Sequence, residues 1–199
     1  MHQPLILASA SATRRDLLIN AAVAFETKPA RVDEATIKAS LVAAGHFPRD
    51  IADALAEAKA ARIAGQYPDR LVLGSDQVLD SEGQLISKPD TQEDAIAQLT
   101  ALAGKRHNLH TAAVIFEDAR PVWRHVATVA MSMRQLSPHF IEAYVGRNWD
   151  SIKYSVGGYK IEEEGVRLFT KIDGSHFAVL GLPLLEILAY LSQKGVIET

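Results

Sequence analysis

Short apolar runs separated by helical patterns organise the N-terminal half of the chain. The runs that predict strands lie at residues 5–8, 24–27 and 71–74. Between them, a helix is predicted to open at Thr13, another to lead into a loop over 35–47, and the clearest one to span 50–66. This alternation of strands and helices predicts an α/β fold.

Longer strands are predicted in the C-terminal half. Residues 111–116 and 121–134 alternate and are rich in β-branched side chains, with a turn at 117–120, which predicts a long antiparallel pair. Helices are predicted at 91–103, 137–145 and 182–192, and a further strand at 166–172. Long antiparallel strands favour a mixed sheet flanked by helices over a purely parallel one.

Residues 71–89 hold the first candidate site. The apolar run ends at Gly74, Asp76 follows it, and Lys88 comes twelve residues later, before a proline. Ligands of open α/β sheets bind where strands end, so the pattern predicts Asp76 at such an edge. A turn at 81–83 predicts a hairpin that returns Lys88 towards Asp76. The alternative is a pair of unrelated surface charges.

Composition narrows the class of protein. The 199 residues fit a single domain, 1–199, and 48% hydrophobic residues can build a normal core. A net charge of -3 does not indicate binding to nucleic acid polymers, and the lack of cysteine excludes disulfides and thiolate metal sites. Nothing predicts a signal peptide or a membrane span, so we expect a cytoplasmic protein without a membrane partner.

The first predicted strand and helix form a candidate anion site. Residues 9–12 are small and include two serines, and the N–H groups at a helix N-terminus attract anions. Arg14 and Arg15 occupy the first turn, where cations oppose the helix dipole, which indicates a bound anion. Two solvated arginines are the alternative.

Further candidates lie on a helix and beside a glycine pair. Lys59 borders the apolar stripe of its helix, where a lysine either extends to solvent or reaches a partner. Lys160 and Glu162 alternate with apolar residues after Gly157 and Gly158, so they could share one strand face. With Glu34, these cations and carboxylates fit a polyphosphate held with a divalent metal, or a carboxylate that activates water.

Other common catalytic patterns are missing from the sequence. It contains no Walker loop, no G-x-G-x-x-G and no G-x-S-x-G. The seven histidines are scattered. His107 and His110 lie three apart on a predicted strand and therefore face opposite sides. No histidine metal site is predicted.

Several blocks resemble one known family. Residues 7–18 (LASASATRRDLL) resemble the L-A-S-x-S-P-x-R-R-x-L-L block of the Maf family of nucleoside triphosphate pyrophosphatases. The later blocks of that family are matched, in order, by residues 57–60, 74–78, 88–89, 104–107, 157–162, 173–175 and 181–184. Because the matches cover nearly the whole chain, it is identified as a member of this family.

The resemblance implies a homodimeric α/β enzyme that cleaves a nucleoside triphosphate between its α and β phosphates with Mg²⁺ or Mn²⁺. It implies that Asp76 is the catalytic residue, as a base or as a metal ligand, and that Glu34 is a further acidic residue and metal ligand. The residues implied in phosphate binding are Ser9, Arg14, Arg15, Lys59, Lys88 and Lys160.

The resemblance also points to a substrate. The central Ser75-Asp76-Gln77 with the late Lys160 and Glu162 resembles the 7-methyl-GTP pyrophosphatases, whereas the dTTP/UTP type reads A-D-T. Thr13, Gln77 and Glu162 are therefore the candidate specificity residues.

Three departures from the family pattern bear on base selection. Ala12 replaces the family proline, Thr13 stands where this type often has an aromatic residue, and residues 157–158 are a glycine pair. A dTTP/UTP pyrophosphatase, a nucleotide-binding regulator of cell division and a sugar-phosphate or coenzyme binder are the alternative functions.

Overall fold

The computed structural model describes residues 4–198 and confirms the predicted mixed sheet. The strands are β1 (Leu5–Leu7), β2 (Phe25–Thr27), β3 (Val72–Ser81), β4 (Gln84–Ile86), β5 (Arg106–Glu117), β6 (Arg120–Met133) and β7 (Phe169–Asp173). The α-helices are α1 (Ala12–Asn20), α2 (Glu34–Ala43), α3 (Pro48–Ala64), α4 (Gln92–Leu102), α5 (Pro138–Ile152), α6 (His176–Val179) and α7 (Leu184–Gln193). In this range no helix is long and apolar enough to cross a membrane.

One seven-stranded sheet carries both kinds of strand pairing. Its order is β2-β1-β3-β5-β6-β7, with β4 attached to β3. The two pairings of β1 are parallel, and all others are antiparallel. The predicted hairpin at 81–83 and the predicted β5–β6 pair are both confirmed. The first three residues, on which the expectation of no signal peptide partly rests, lie outside the described range.

Strand β3 is longer than predicted. We expected it to end at Gly74 with Asp76 just beyond, but the strand continues to Ser81 and Asp76 lies near its middle. Gly74 has a packing role: a Cβ there would lie 2.6 Å from the backbone nitrogen of Ala60, and closer still to the carbonyl oxygen of Ala56. The glycine therefore lets α3 pack directly against β3. In the sequence alone, a glycine in this role has the same pattern as one that ends a strand.

A gap in strand pairing exposes the middle of β3. On one side, β1 pairs with Val72 and Leu73, and β4 pairs with residues 79–81. Within residues 4–198, therefore, no strand pairs with residues 74–78 on this side, although β5 pairs with them on the other. We call this opening the notch. It gives a ligand access to side chains on both faces of β3.

Three predictions about the C-terminal half differ from the structure, one in the type of element and two in its bounds. The segment with Lys160 and Glu162 is not a strand: it forms a 3-10 turn at Val156–Gly158 and further turns, because Gly157 and Gly158 both have positive φ. The strand expected at 166–172 is present as β7 but begins at Phe169, because a 3-10 helix occupies Glu164–Leu168. The helix expected to end at 145 continues to Ile152, which is buried.

Candidate active site

A cavity of about 1410 Å³ opens at the notch. The loop before α1, helix α2, the β3–β4 hairpin and the turns around residues 154–162 form its walls. The predicted site residues in its lining are Ser9, Thr13, Arg14, Glu34, Lys59, Asp76, Gln77, Lys88, Lys160 and Glu162. Arg15 is not among them. Its side chain is half-exposed and pairs with Asp16, so the structure does not bring it to the cavity.

One face of β3 carries a cluster of ions. The Lys59 ammonium lies 2.6 Å from Asp76 Oδ1 and 2.8 Å from Glu34 Oε1. Lys59 and Asp76 are almost fully buried, at 8% and 6% exposure, whereas the Glu34 side chain is about half-exposed. Lys59 thus does more than border the apolar stripe, because it joins two carboxylates that belong to different elements.

Local structure places Glu34 beside Lys59. Asp33 caps α2 by accepting a hydrogen bond from the Thr36 N–H at 3.0 Å, which puts Glu34 in the first helical turn. Burial disfavours the charged form of Glu34, but the hydrogen bond and charge of Lys59 outweigh it, helped by Lys88 and Lys38. The pKa of Glu34 is therefore lowered from its ordinary value, and the carboxylate is ionised at neutral pH.

Arg14 links separate segments of the cavity wall by hydrogen bonds. Its Nε donates to the Gly181 carbonyl at 2.8 Å, and Nη1 donates to the Ser75 carbonyl at 3.0 Å and to Ser9 Oγ at 3.4 Å. The Ser75 carbonyl lies on the unpaired edge of β3, so Arg14 supplies the donor that a neighbouring strand would have supplied. Burial lowers the pKa of Arg14, and the charges of Asp76 and Glu34 oppose that shift.

The opposite face of β3 is neutral. Ser75 Oγ donates to the Gly181 carbonyl at 3.0 Å. Gln77 Nε2 donates to Thr111 Oγ1 at 2.8 Å and to the carbonyls of Ala178 and Val179 at 2.9 and 3.1 Å. Side chains alternate along a strand, so Ser75 and Gln77 share the face that Asp76 does not.

The remaining predicted residues lie farther from the ions. Lys88 is exposed beyond β4 but close enough to Glu34 to act on its charge. Lys160 donates to Ser151 Oγ at 2.7 Å and approaches Glu163 at 3.4 Å, so its ammonium is held by α5 and by its own segment. Glu162 is exposed and Thr13 half-buried at the cavity wall.

Sequence reasoning missed several cavity residues. Lys38 lies four residues after Glu34 on α2 and therefore on the same helical face, a spacing that could have revealed it. Tyr154, 69% exposed, provides an aromatic wall, and no pattern distinguished it from other surface residues. Thr111 lies behind the cavity lining, and sequence reasoning gave it no role because its bond to Gln77 depends on the pairing of β3 with β5.

The carboxylates suit a hard divalent cation. Lys59 binds one oxygen of each, and among the described residues no group donates a hydrogen bond to Asp76 Oδ2 or Glu34 Oε2. Mg²⁺ is bound in proteins by one or two carboxylates together with water and phosphate oxygens, which fits this pair. Within residues 4–198 no group of three or more His, Cys, Asp or Glu could hold a metal. Water and substrate would therefore complete the coordination.

Cations and carboxylates around one cavity, at the open edge of a mixed sheet, define a protein equipped to bind a phosphorylated ligand. Comparison with known proteins makes the assignment specific. Residues 4–194 match the family described as Maf-like protein. The chain belongs to the Maf family, as the sequence blocks predicted.

Relatives of similar length carry enzyme names. The chain is 58% identical over 199 residues to a nucleoside triphosphate pyrophosphatase of Ruegeria pomeroyi, which covers 100% of both chains. It is 45% identical to a nucleoside triphosphate pyrophosphatase of Caulobacter vibrioides, over 98% of this chain and 97% of the other. It is 43% identical to a 7-methyl-GTP pyrophosphatase of Rhizobium meliloti, over 98% of each chain.

Proposed function

We propose that this protein hydrolyses a nucleoside triphosphate to the monophosphate and pyrophosphate, and that 7-methyl-GTP is its substrate. The observation that carries the proposal is the buried Lys59–Asp76 pair at a cavity lined by further cations, where the second Asp76 oxygen accepts no hydrogen bond from residues 4–198. The pyrophosphatase names of the full-length relatives support the reaction.

In this proposal the cations bind the triphosphate. Lys59, Arg14 and Lys88 offset its negative charge, and the Ser9 hydroxyl and the N-terminus of α1 supply hydrogen-bond donors. Lys160 lies close enough to take part at the cavity wall. Arg15 is assigned no role, because its side chain is directed to Asp16.

Asp76 acts where the α–β anhydride bond breaks. Water attacks the α-phosphorus and pyrophosphate leaves, so one proton must be taken from the water. Asp76 Oδ2 is the atom that would accept this proton or bind the cation, and either role requires an ionised carboxylate. A divalent cation held by Asp76 and Glu34 would offset the charge that develops on the phosphate oxygens.

The proposed substrate rests on two polar residues of the cavity lining. Gln77 and Glu162 both line the cavity, and a carboxylate can accept hydrogen bonds from N1–H and the N2 amine of guanine. The 43% identical relative of Rhizobium meliloti bears the 7-methyl-GTP name. The dTTP/UTP type is the second candidate, because Thr13 does not offer the methylated base an aromatic surface.

The test is pyrophosphate release from 7-methyl-GTP, GTP, dTTP, UTP and CTP, each with Mg²⁺ and with Mn²⁺. We expect the highest kcat/KM with 7-methyl-GTP. Asp76→Asn should reduce kcat by about 10² to 10⁴ while nucleotide affinity changes little, since base or metal chemistry is lost and the cations remain. Asp118→Asn, in the exposed β5–β6 turn, is the matched control and should behave as wild type.

The other outcomes separate the candidates. Preference for dTTP or UTP would overturn the proposed base and leave the reaction intact. Nucleotide binding without release from any substrate would instead favour a nucleotide-binding regulator. A homodimer, expected from the family resemblance, is part of the proposal, and light scattering of the purified chain would test it.

A further inference from the structure

The side-chain amide of Gln77 has one orientation that its surroundings allow. The Thr111 hydroxyl is fully buried and donates its only proton to the Ala178 carbonyl at 2.8 Å. The lone pairs of Thr111 Oγ1 therefore face Gln77, and only a donor can lie 2.8 Å from them. The Gln77 group at that position must be the NH₂.

Two backbone carbonyls impose the same orientation. Ala178 and Val179 offer Gln77 only acceptor oxygens, at 2.9 and 3.1 Å from Nε2. A reversed amide would place Oε1 against these two carbonyl oxygens, which cannot donate, and would deprive them of the donor that Nε2 supplies. The orientation is thus set by α6 and by Thr111, which lies directly opposite Gln77 on β5.

The orientation determines what Gln77 offers to a ligand. Gln77 is half-buried and lines the cavity, and Oε1 accepts no hydrogen bond from the residues described. Because Nε2 is directed to α6, Oε1 is the atom left for the ligand. A group that meets Oε1 must be an N–H or O–H donor.

We propose that Thr111 is a positioning residue for specificity: it holds Gln77 so that Oε1 accepts a hydrogen bond from an N–H group of the bound base. This inference rests on the proposed function and adds the direction of that hydrogen bond. Guanine and 7-methylguanine present two adjacent donors, N1–H and the N2 amine, on one edge, whereas adenine has an acceptor at N1 beside its N6 amine. An Oε1 opposite position 1 of the base therefore accepts a hydrogen bond from guanine and meets a second acceptor in adenine. Thr111 thereby favours guanine over adenine without touching the nucleotide.

The experiment compares Thr111→Val with Thr111→Ser. Valine keeps the volume and removes the hydroxyl, so Nε2 loses the shortest of its three hydrogen bonds and Oε1 is held less firmly towards the base. We expect the ratio of kcat/KM for GTP over ATP to fall about tenfold, through KM, with kcat changed less than about twofold. Thr111→Ser retains the hydroxyl and should retain the wild-type ratio.

A double-mutant cycle separates positioning from general damage. Gln77→Met removes the amide, so Thr111→Val should have no further effect on the GTP/ATP ratio in that background. Full additivity, or an equal loss of kcat with both nucleotides, would overturn the inference. If Thr111→Val does not fold, Gln77→Glu provides the second test. It places a carboxylate oxygen against the Ala178 and Val179 carbonyls and should weaken guanine binding, whereas tighter binding would contradict the fixed orientation.

Equilibrium binding distinguishes this inference from the proposed function. The affinities of GTP and ATP for the full chain require no turnover. If wild type hydrolyses neither nucleotide but binds GTP in preference to ATP, and Thr111→Val reduces this preference, the proposed function is overturned and the inference is supported. If wild type hydrolyses the nucleotide and Thr111→Val leaves the preference for GTP unchanged, the proposed function is supported and the inference is overturned. Failure of wild type to bind either nucleotide would overturn both.

Discussion

The two faces of β3 carry different chemistry, although the residues on them are adjacent in the sequence. Asp76 faces α3, where Lys59 joins it to Glu34 in a cluster of ions. Gln77 faces α6, where a neutral hydroxyl and two backbone carbonyls hold it. Both faces reach the same cavity because the notch leaves this part of β3 without a strand neighbour on one side.

The comparison suggests a division between chemistry and recognition. Charges are suited to phosphate, metal and proton transfer, and they act over several ångströms. Neutral hydrogen bonds are directional and therefore suit the reading of a base edge. Variants of the two faces should accordingly differ: the ionic face should control kcat and acid-base behaviour, and the neutral face should control discrimination among nucleotides.

The largest effect on stability is expected from Lys59→Met. It leaves the Asp76 carboxylate buried without its ammonium, and breaking a buried pair in this way costs about 3–5 kcal/mol. Chemical denaturation would measure the loss. The double variant Lys59→Met/Asp76→Asn removes the unpaired buried charge and should recover part of the lost free energy of unfolding. A single variant as stable as wild type would show that the pair is solvated.

A pH dependence should arise on the neutral face. His107 faces the same side as Gln77, lies 2.7 Å from the Tyr159 hydroxyl, and is 1% exposed. Burial lowers the pKa of His107 to about 4 from its ordinary 6.5. Between pH 6.5 and pH 4 the unfolded chain binds a proton at His107 that the folded chain does not. The free energy of unfolding therefore does not depend on the protonation of His107 above pH 6.5. It falls by about 3 kcal/mol as the pH decreases to 4.

Denaturation of His107→Phe across this pH range tests the assignment. The variant should lose the part of the pH dependence that His107 causes, although it also removes the partner of the Tyr159 hydroxyl. His139→Gln, at an exposed position of α5, should keep the wild-type profile. Equal profiles for wild type and His107→Phe would contradict the prediction.

A smaller effect should follow Gly74→Ala. The added methyl group must push α3 away from β3, and such overpacking costs about 1–3 kcal/mol. Because α3 carries Lys59, pyrophosphate release should decrease as well. Gly146→Ala is the matched control: its Cβ would meet nothing within 4 Å, so a helix-forming alanine should stabilise α5 slightly. Unfolding midpoints of both variants would decide, and equal values would exclude the proposed close packing.

The smallest effect is expected from Glu34→Gln. Its side chain is about half-exposed, so the pair with Lys59 should contribute less than about 1 kcal/mol to stability. If Glu34 helps to bind the cation, the Mg²⁺ concentration for half-maximal pyrophosphate release should nevertheless rise. A Mg²⁺ titration measures it. An unchanged titration would remove Glu34 from the proposed metal site and leave Asp76 there.

Much of the candidate site could be predicted because its residues lie in short blocks. The turn at 81–83, the loop before α1 and the helix predicted at 91–103 depend on local chemistry, and all have the predicted form. The segment at 157–162 was misassigned because alternation predicts a strand, whereas the positive φ of two glycines overrides it. Gly74 was misinterpreted for a different reason. The sequence does not distinguish a glycine that ends a strand from one that lets a helix pack closely against the strand.

The sequence by itself determined the fold class, the family and the charged residues at the centre of the cavity, because hydrophobic periodicity and short blocks are local properties. Only the tertiary structure decided which of these residues meet. It joined Lys59 to both Asp76 and Glu34, separated Arg15 from the cavity, and placed Thr111 against Gln77. These contacts depend on the register of β3 with β5 and on the approach of α3, which link residues far apart in the chain.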